Sequence, residues 1–385
     1  MIKPKPIEAL KQSINTFFTG IVIQESSLPD TNGEYIYLIH SDKKILWFTS
    51  AHNRDIQQIK GINSFLRLNS AAFTETKFFG DNPLIQIKKV KYKLEQNAAC
   101  RISNLKLCKR TSMAFQTASG KSLISIILPG KVGQVIKISR LKQNLRNEFQ
   151  ALRNINPKIV TPKPLRFNEL NNGFSVSAQT LLRGLPLDNS ISDKNIALVL
   201  KKLTNTEAQF TSIREQSESL LESLKEKNLT DNQKKHIESL LVKNQSKTSV
   251  ISSRIHGDLR PANMLKCLSH DENKNSIQLG LLDWEFSKPT GIGITDFLRW
   301  KLDFAYTKAI SFEELFHLSN ISEIKKIMPK LDIPGNTLPL NELLRLHIAM
   351  HAIDRFHSFW TPNSTNNRLN NLEKILNSKR PIDLD

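Results

Sequence analysis

Three short apolar segments separated by turn sequences lie close together in the middle of the chain. They are SMAFQTA (112–118), SLISIIL (122–128) and QVIKIS (134–139). The intervening segments SGK (119–121) and PGKVG (129–133) contain glycine, and the second also contains proline, as tight turns commonly do. Because turns this short join antiparallel neighbours, the pattern predicts three consecutive antiparallel strands.

The pattern changes to helical spacing after residue 140. Apolar side chains then recur every three or four positions, at Leu141, Leu145, Phe149 and Leu152. This spacing predicts a helix over 141–155, and the proline at position 157 indicates its end. The run FSVSAQTLL (174–182) is a further strand candidate.

The two flanking regions differ in their hydrophobic patterns. In the first 110 residues, YIYLIH (35–40) and KILWFTS (44–50) predict a hairpin, and NPLIQIKKVKYKL (82–94) alternates as an exposed strand does. Residues 194–250 and 341–360 instead have the amphipathic pattern of helices.

These patterns together predict an α+β protein in which a small antiparallel sheet precedes a larger helical part. We predict three regions: an N-terminal extension of mixed α/β character (1–110), a sheet-rich region (111–183) and a helical region (184–385). A chain of 385 residues is also too long for one small core.

The formal net charge of +19 is unevenly distributed. Residues 1–183 contain 28 Lys+Arg and 11 Asp+Glu, whereas residues 184–385 contain 27 and 25. This asymmetry favours an anionic partner, such as nucleotide phosphates, an acidic glycan, nucleic acid or a lipid headgroup. A well-solvated basic surface is the alternative for most of these lysines.

The sequence contains no signal for membrane insertion or export. No apolar run approaches the roughly 20 residues of a transmembrane helix, and the start MIKPKPIEALKQ lacks the apolar stretch of a signal peptide. Cys100, Cys108 and Cys267 are odd in number and lack metal-ligand spacing, which is typical of buried thiols in a reducing compartment. We therefore expect a cytoplasmic protein.

The segment RIHGDLRPANML (254–265) brings together residue types that phosphoryl transfer uses. The carboxylate of Asp258 can accept a proton from an attacking hydroxyl, and the amide oxygen of Asn263 can ligate Mg²⁺. A second carboxylate, Asp283, ends an apolar run twenty residues after Asn263. Two carboxylates and an amide around Mg²⁺ suit phosphoryl transfer from a nucleotide.

The same chemistry requires a lysine for the inner phosphates of the nucleotide. Lys137 lies within QVIKIS, and a charged lysine among apolar neighbours needs either solvent or a partner, which Glu148 in the predicted helix could supply. The turn ASGKS would cover the phosphates with Ser119, Gly120, Lys121 and Ser122. The edge backbone of FSVSAQTLL, at Gln179 and Leu181, would bind the adenine.

HGDLRPANML followed by LLDWEFS resembles the aminoglycoside phosphotransferase/choline kinase family, a branch of the protein-kinase-like fold. The resemblance covers roughly residues 111–360 and rests on an ordered set of residues: Lys137, Glu148, His256, Gly257, Asp258, Asn263, Asp283 and Asp296. It implies a bilobal fold, ATP and Mg²⁺ as cofactors, and transfer of phosphate to an alcohol group.

The resemblance also assigns roles to individual residues. It makes Asp258 the catalytic base, Asn263 and Asp283 the Mg²⁺ ligands, and Lys137 with Glu148 the pair that positions the ATP phosphates. His256 and Asp296 would brace the catalytic loop.

The sequence departs from protein kinases in two places. There is no G-x-G-x-x-G loop, and Gly120 is the single glycine in the turn that would cover the phosphates. Asp283-Trp284-Glu285 replaces Asp-Phe-Gly, a variant that looks more like the choline and thiamine kinases. The first 110 residues match no motif.

Several other polar residues have less specific interpretations. Arg260 is either a phosphate contact or a structural ion-pair partner. We interpret a further set of charged residues as scaffold or surface, although an acceptor could also contact them: Glu285, Arg299 and Asp303. Three histidines form no convincing metal site and are interpreted as packing or surface residues: His347, His351 and His357.

Three functions remain open at this stage. The favoured one is an ATP-dependent kinase acting on a small molecule or glycan, such as a sugar, an amino alcohol or a cell-surface glycan precursor. The second is a nucleotide-binding pseudokinase that acts as a scaffold. The third, a nucleic-acid-binding protein, is least supported because no reading motif or aromatic interleaving accompanies the basic residues. The basic first half favours an anionic acceptor, and the oligomeric state has no sequence signal.

Overall fold

The computed structural model describes residues 6–24, 35–41, 44–49, 86–118, 121–128, 130, 133–187, 193–203, 209–226, 229–247, 249–268, 277–307 and 340–354. These residues divide into two compact units. The first takes the described residues within 1–153, 161–186 and 265–285, and the second takes those within 154–160, 187–264 and 286–385.

A ten-stranded antiparallel sheet forms most of the first unit. Its strands are β1 (Phe18–Gln24), β2 (Tyr35–Ser41), β3 (Lys44–Thr49), β4 (Gln86–Cys100), β5 (Leu105–Lys106), β6 (Ser112–Ala118), β7 (Lys121–Leu128), β8 (Gln134–Ser139), β9 (Pro164–Glu169) and β10 (Ser175–Thr180). Their order is β1-β4-β2-β3-β6-β7-β8-β10-β9, and β5 pairs with β4. Because β3 pairs with β6, the sheet runs through the predicted boundary at residue 110.

The predicted α+β class and the three strands between residues 112 and 139 are confirmed. β6 pairs with β7 and β7 pairs with β8, both antiparallel, as the short turns predict. The predicted helix over 141–155 is α2 (Lys142–Arg153), preceded in the unit by α1 (Pro6–Phe17), for which no prediction was made. One expectation is wrong: β10 lies between β8 and β9 and is not an edge strand.

The two faces of this sheet have different compositions because side chains alternate along each strand. One face is apolar, and on it Ile136 and Ile138 of β8 join a buried cluster that includes Leu10 and Ile14 of α1. Phe17 at the end of α1 also contacts the ring of Phe115, with centroids 5.3 Å apart. The N-terminal helix therefore covers the apolar face of the sheet.

Three short strands form a second sheet in this part of the chain. They are β11 (Leu185–Pro186), β14 (Met264–Leu268) and β15 (Ile277–Leu281), in the order β11-β14-β15. β15 runs into a 3₁₀ turn at Trp284–Phe286, so the apolar run that precedes Asp283 is a strand, as predicted.

The second unit is mainly helical, as expected. Its helices are α3 (Asp193–Leu203), α4 (Ile213–Lys225), α5 (Asp231–Leu241), α6 (Ile294–Thr307) and α7 (Leu340–Asp354). Capping boxes start two of them, with Ser212 and Glu215 at α4 and Thr230 and Gln233 at α5. The predicted helical run beyond residue 354 lies outside the described residues.

A small antiparallel sheet that the sequence did not predict lies within this helical unit. It contains β12 (Gln209–Ser212), β13 (Ser249–Ile255) and β16 (Lys288–Ile292), in that order. β13 ends directly before His256 and thereby fixes the start of the segment that contains Asp258. None of the helices that the structure describes is both long and apolar enough to cross a membrane.

We expect Ile14→Ala to lower the free energy of unfolding by about 2–5 kcal/mol, because it leaves a cavity in the core shared by α1 and the sheet. The control is Val22→Ala on β1, where the side chain is 42% exposed and the expected loss is below about 1 kcal/mol. Denaturant unfolding followed by circular dichroism measures both. Equal losses would contradict the packing of α1 on the sheet.

Candidate functional site

Lys137 lies in the middle of β8 on the less apolar face of the large sheet. Its cross-strand neighbours are Ser125 on β7 and Ser177 on β10, whose short side chains leave room for a lysine. Adjacent residues Ile136 and Ile138 point to the opposite, apolar face. The side chain is buried, so its ammonium group requires charged partners.

Glu148 on α2 supplies the first of these partners. It lies on the same helix face as the buried residues Leu145 and Leu152, three and four positions away. The Lys137 Nζ donates to Glu148 Oε1 at 2.6 Å and to Oε2 at 2.8 Å. The predicted pairing of Lys137 with Glu148 is therefore present in the structure.

Asp283 supplies the second partner. Its Oδ1 lies 3.4 Å from the Lys137 Nζ, and its backbone has a φ of +63°, which aspartate tolerates better than most residues. Burial lowers the pKa of Lys137, but the carboxylates of Glu148 and Asp283 more than offset this and raise it above its ordinary value. The lysine is thus held in its charged form.

Glu285, two residues after Asp283, is also buried in the first unit. Its Oε2 accepts a hydrogen bond from Asn144 Nδ2 on α2 at 3.2 Å. This contact fits the scaffold interpretation of Glu285, since it ties the turn after β15 to the helix that contains Glu148.

The other residues expected to bind the nucleotide that the structure describes also lie in the first unit. The structure does not describe Ser119 and Gly120, and it describes Lys121 and Ser122 only as backbone in β7. Gln179 is buried on β10, and its Oε1 has no hydrogen-bond partner within the described part of the chain. The Leu181 N–H donates to the Gly133 carbonyl at 2.7 Å, so only the Leu181 carbonyl oxygen could contact a base.

Asp258 lies in the second unit with its side chain 1% exposed. Arg299 Nε donates to its Oδ1 at 3.0 Å. Asn263 Nδ2 lies 3.0 Å from its Oδ2, and Arg260 Nε lies 3.2 Å from the same oxygen. The proposed base is thus surrounded by donors, which stabilise a buried carboxylate.

The backbone before Asp258 is fixed by Asp296 at the start of α6. The N–H groups of His256 and Gly257 donate to the two Asp296 carboxylate oxygens at 2.6 and 2.9 Å. The Asp258 N–H also donates to His256 Nδ1 at 3.3 Å. As the resemblance implies, His256 and Asp296 brace this loop.

Gly257 is required by the geometry of the same loop. Its φ of +77° favours glycine, and a Cβ at this position would lie 2.2 Å from the carbonyl oxygen of Phe286. A backbone atom cannot move aside as a flexible side chain can, so any other residue would displace the loop that contains Asp258.

Of the two residues predicted to ligate Mg²⁺, Asn263 belongs to the second unit and Asp283 to the first. The Asn263 Nδ2 also donates to the Asp258 carbonyl at 3.0 Å, so its side-chain oxygen is the atom that could ligate a cation. Asp283 offers carboxylate oxygen. No group of three His, Cys, Asp or Glu side chains that could hold a metal occurs among the described residues. Mg²⁺ needs no such group, since it commonly binds one or two protein ligands with waters and phosphates.

No specific role was predicted for Arg299, whose Nε donates to Asp258 in the structure. Arg299 follows Asp296 by three residues, and on a helix this spacing places both side chains on the same face. It was the one feature of the sequence that could have linked Arg299 to the loop. His347 is buried on α7, in agreement with a packing role. The side chains of Asp303, His351 and His357 lie outside the described residues.

No protein-family model matches the sequence, and no curated protein matches it either. Among solved structures, the chain is similar to the apo form of a thermostable mutant of aminoglycoside phosphotransferase APH(4)-Ia, with 10% identity and a TM-score of 0.42 over 68% of this chain and 89% of that chain. It is also similar to the GDP complex of wild-type aminoglycoside 2'-phosphotransferase-IIIa, with 14% identity and a TM-score of 0.38 over 71% and 91%.

We expect Gly257→Ala to destabilise the second unit by more than the 1–3 kcal/mol typical of strained backbone alone, because the added Cβ collides with a carbonyl oxygen. Gly173→Ala is the control: its φ is +83°, but a Cβ there has nothing within 4 Å. Thermal and denaturant unfolding of both variants separate the collision from the φ effect. An equal loss in the two would contradict the contact with Phe286.

Asp296 gives a prediction about pH. Burial raises its pKa to about 7, although the N–H groups of His256 and Gly257 lower it. Because this pKa is above the ordinary value of 3.8, the folded state holds the proton of Asp296 more tightly than the unfolded state does. The stability that this proton contributes is complete below pH 4 and is lost as the pH rises through 7.

The free energy of unfolding of the natural protein minus that of Asp296→Asn should therefore fall between pH 4 and pH 7, by at most about 1.4 kcal/mol per pH unit. Denaturant unfolding at several pH values measures this difference, in which the titration of other groups cancels. A difference that rises with pH would contradict a raised pKa.

Proposed function

We propose that the protein is an ATP- and Mg²⁺-dependent phosphotransferase that moves the γ-phosphoryl group to a hydroxyl of a small molecule or glycan. The observation that carries this proposal is the contact of the Lys137 ammonium group with both Glu148 and Asp283. Kinase-type phosphoryl transfer requires a lysine–glutamate pair together with a metal-binding aspartate.

In this proposal the first unit binds the nucleotide. Lys137, fixed by Glu148, contacts the inner phosphates as a charged donor. Asp283 and Asn263 provide carboxylate and amide oxygens as ligands for Mg²⁺, which neutralises phosphate charge when it is bound. Gln179 and the Leu181 carbonyl would contact the base, and the turn with Ser119, Gly120, Lys121 and Ser122 would cover the phosphates.

Asp258 acts as the base. It accepts the proton of the acceptor hydroxyl while the hydroxyl oxygen forms a bond to the γ-phosphorus, and the bond from that phosphorus to the bridging oxygen breaks to release ADP. Arg260, 20% exposed and paired with Asp258, would contact the transferred phosphoryl group or serve only as an ion-pair partner of the base.

The charges around Asp258 also bear on the acceptor. Two guanidinium groups, from Arg260 and Arg299, lie within 3.2 Å of the carboxylate. An acceptor with a positive charge next to its reacting hydroxyl would be repelled by them. This supports a neutral or anionic acceptor, in agreement with the basic first half of the sequence.

The test is transfer of label from γ-labelled ATP with Mg²⁺ into a cell extract separated into small molecules, glycolipids and proteins. Asp258→Asn should lower the rate at least about 100-fold, because the base is lost. Lys137→Met should lower it through weaker and misplaced nucleotide binding. The exposed residues Asp231 and Lys158 provide the controls, Asp231→Asn and Lys158→Met, which should retain full activity.

The labelled fraction would identify the acceptor class. Transfer at the natural rate by Asp258→Asn would contradict its role as base. Nucleotide binding without transfer to any fraction would instead favour the scaffolding pseudokinase.

A further inference from the structure

Arg299 lies one helical turn after Asp296 on α6, and both side chains contact the loop that contains Asp258. Asp296 accepts from the backbone N–H groups of His256 and Gly257, whereas Arg299 donates to the Asp258 carboxylate. Residues three apart lie on the same helix face. One face of α6 therefore holds both the backbone of the loop and its charged side chain.

The other two contacts of the carboxylate cannot fix it in the same way. Asn263 and Arg260 belong to the same short segment as Asp258, so they order the loop internally. Arg299 belongs to a separate helix and fixes the carboxylate relative to the body of the second unit. Of these three contacts, the one from Arg299 sets where the carboxylate lies.

The burial of Arg299 supports a specific role. The residue is 6% exposed and lies next to the buried residues Leu298 and Trp300. Burying a guanidinium group costs several kcal/mol, and replacing a whole buried ion pair by apolar residues of similar volume is often neutral or stabilising. The contact with Asp258 explains why a charged residue occupies position 299, because a planar guanidinium group defines the orientation of a carboxylate.

We propose that Arg299 is a positioning residue that fixes the Asp258 carboxylate for proton transfer. This inference rests on the proposed function, in which Asp258 is the base. A base must lie within hydrogen-bond distance of the hydroxyl, and a displacement of about 1 Å can lower a rate by about 100-fold. Arg299 therefore acts on turnover and leaves binding of the nucleotide unchanged.

The experiment compares Arg299→Ala and Arg299→Lys with the natural protein. Arg299→Ala should lower kcat by about 10- to 100-fold, with the KM for Mg-ATP changed less than about twofold. Arg299→Lys should recover part of the loss. Added ethylguanidine should restore turnover to Arg299→Ala, because it can replace the lost group next to Asp258.

Arg214→Ala is the matched control. Arg214 belongs to the same unit and its Nε pairs with Glu218 at 2.8 Å, but both side chains are exposed and neither contacts Asp258. This variant should retain kcat and should not respond to ethylguanidine. It shows the effect of removing an arginine ion pair that is unrelated to the base.

Hydrogen–deuterium exchange over residues 254–264 gives a readout that needs no activity. Exchange there should rise in Arg299→Ala by more than in the rest of the second unit, and it should stay unchanged in Arg214→Ala. Unchanged exchange together with an unchanged kcat in Arg299→Ala would overturn the proposal. A lower kcat would also overturn it if exchange rose throughout the unit and ethylguanidine restored no turnover. If the natural protein transfers no phosphate, the proposed function fails, and local exchange alone decides whether Arg299 fixes the loop.

Discussion

The burial of the Lys137 ammonium group is the constraint on which the first unit depends. Removing such a charge from water costs several kcal/mol unless carboxylates replace the lost hydration. Glu148 and Asp283 do so at 2.6 and 3.4 Å, and they come from a helix and from the turn after a strand. β8, α2 and the end of β15 must therefore be in place together, and one charge couples two consecutive elements to a residue 146 positions away.

Asp258 is subject to the same constraint, since a buried carboxylate also requires donors that replace its lost hydration. Its buried carboxylate is held by Arg299 and Asn263, and the backbone before it is held by Asp296. These contacts of Asp258 come from residues of the second unit, as those of Lys137 come from residues of the first. Gly257 belongs to this arrangement: its N–H and that of His256 donate to the same carboxylate, and its positive φ is one that glycine adopts without strain.

Local patterns in the sequence were sufficient to predict the strands between residues 112 and 139 and the helix after them. The pairing of Lys137 with Glu148 was predicted from a charged lysine in an apolar run together with the motifs further along the chain. Long-range pairing was not predictable: nothing local indicates that β3 joins β6 or that α1 covers the sheet. Arg299 was missed for the same reason, since its partner is 41 residues away. The prediction that β10 lies at the edge of the sheet was wrong because its neighbour β9 is weakly apolar and was not recognised as a strand.

The N-terminal region affects the candidate site through the register of the sheet. Strand residues alternate between faces, so a slip of β8 by one position would move Lys137 to the apolar face and an isoleucine to its place. Burial of Ile136 and Ile138 against the core that α1 completes opposes such a slip. The helix at residues 6–17 makes no contact with Lys137 itself, yet it stabilises the one register in which the lysine lies between Ser125 and Ser177. The N-terminal extension therefore helps to hold the Lys137 ammonium group in its position.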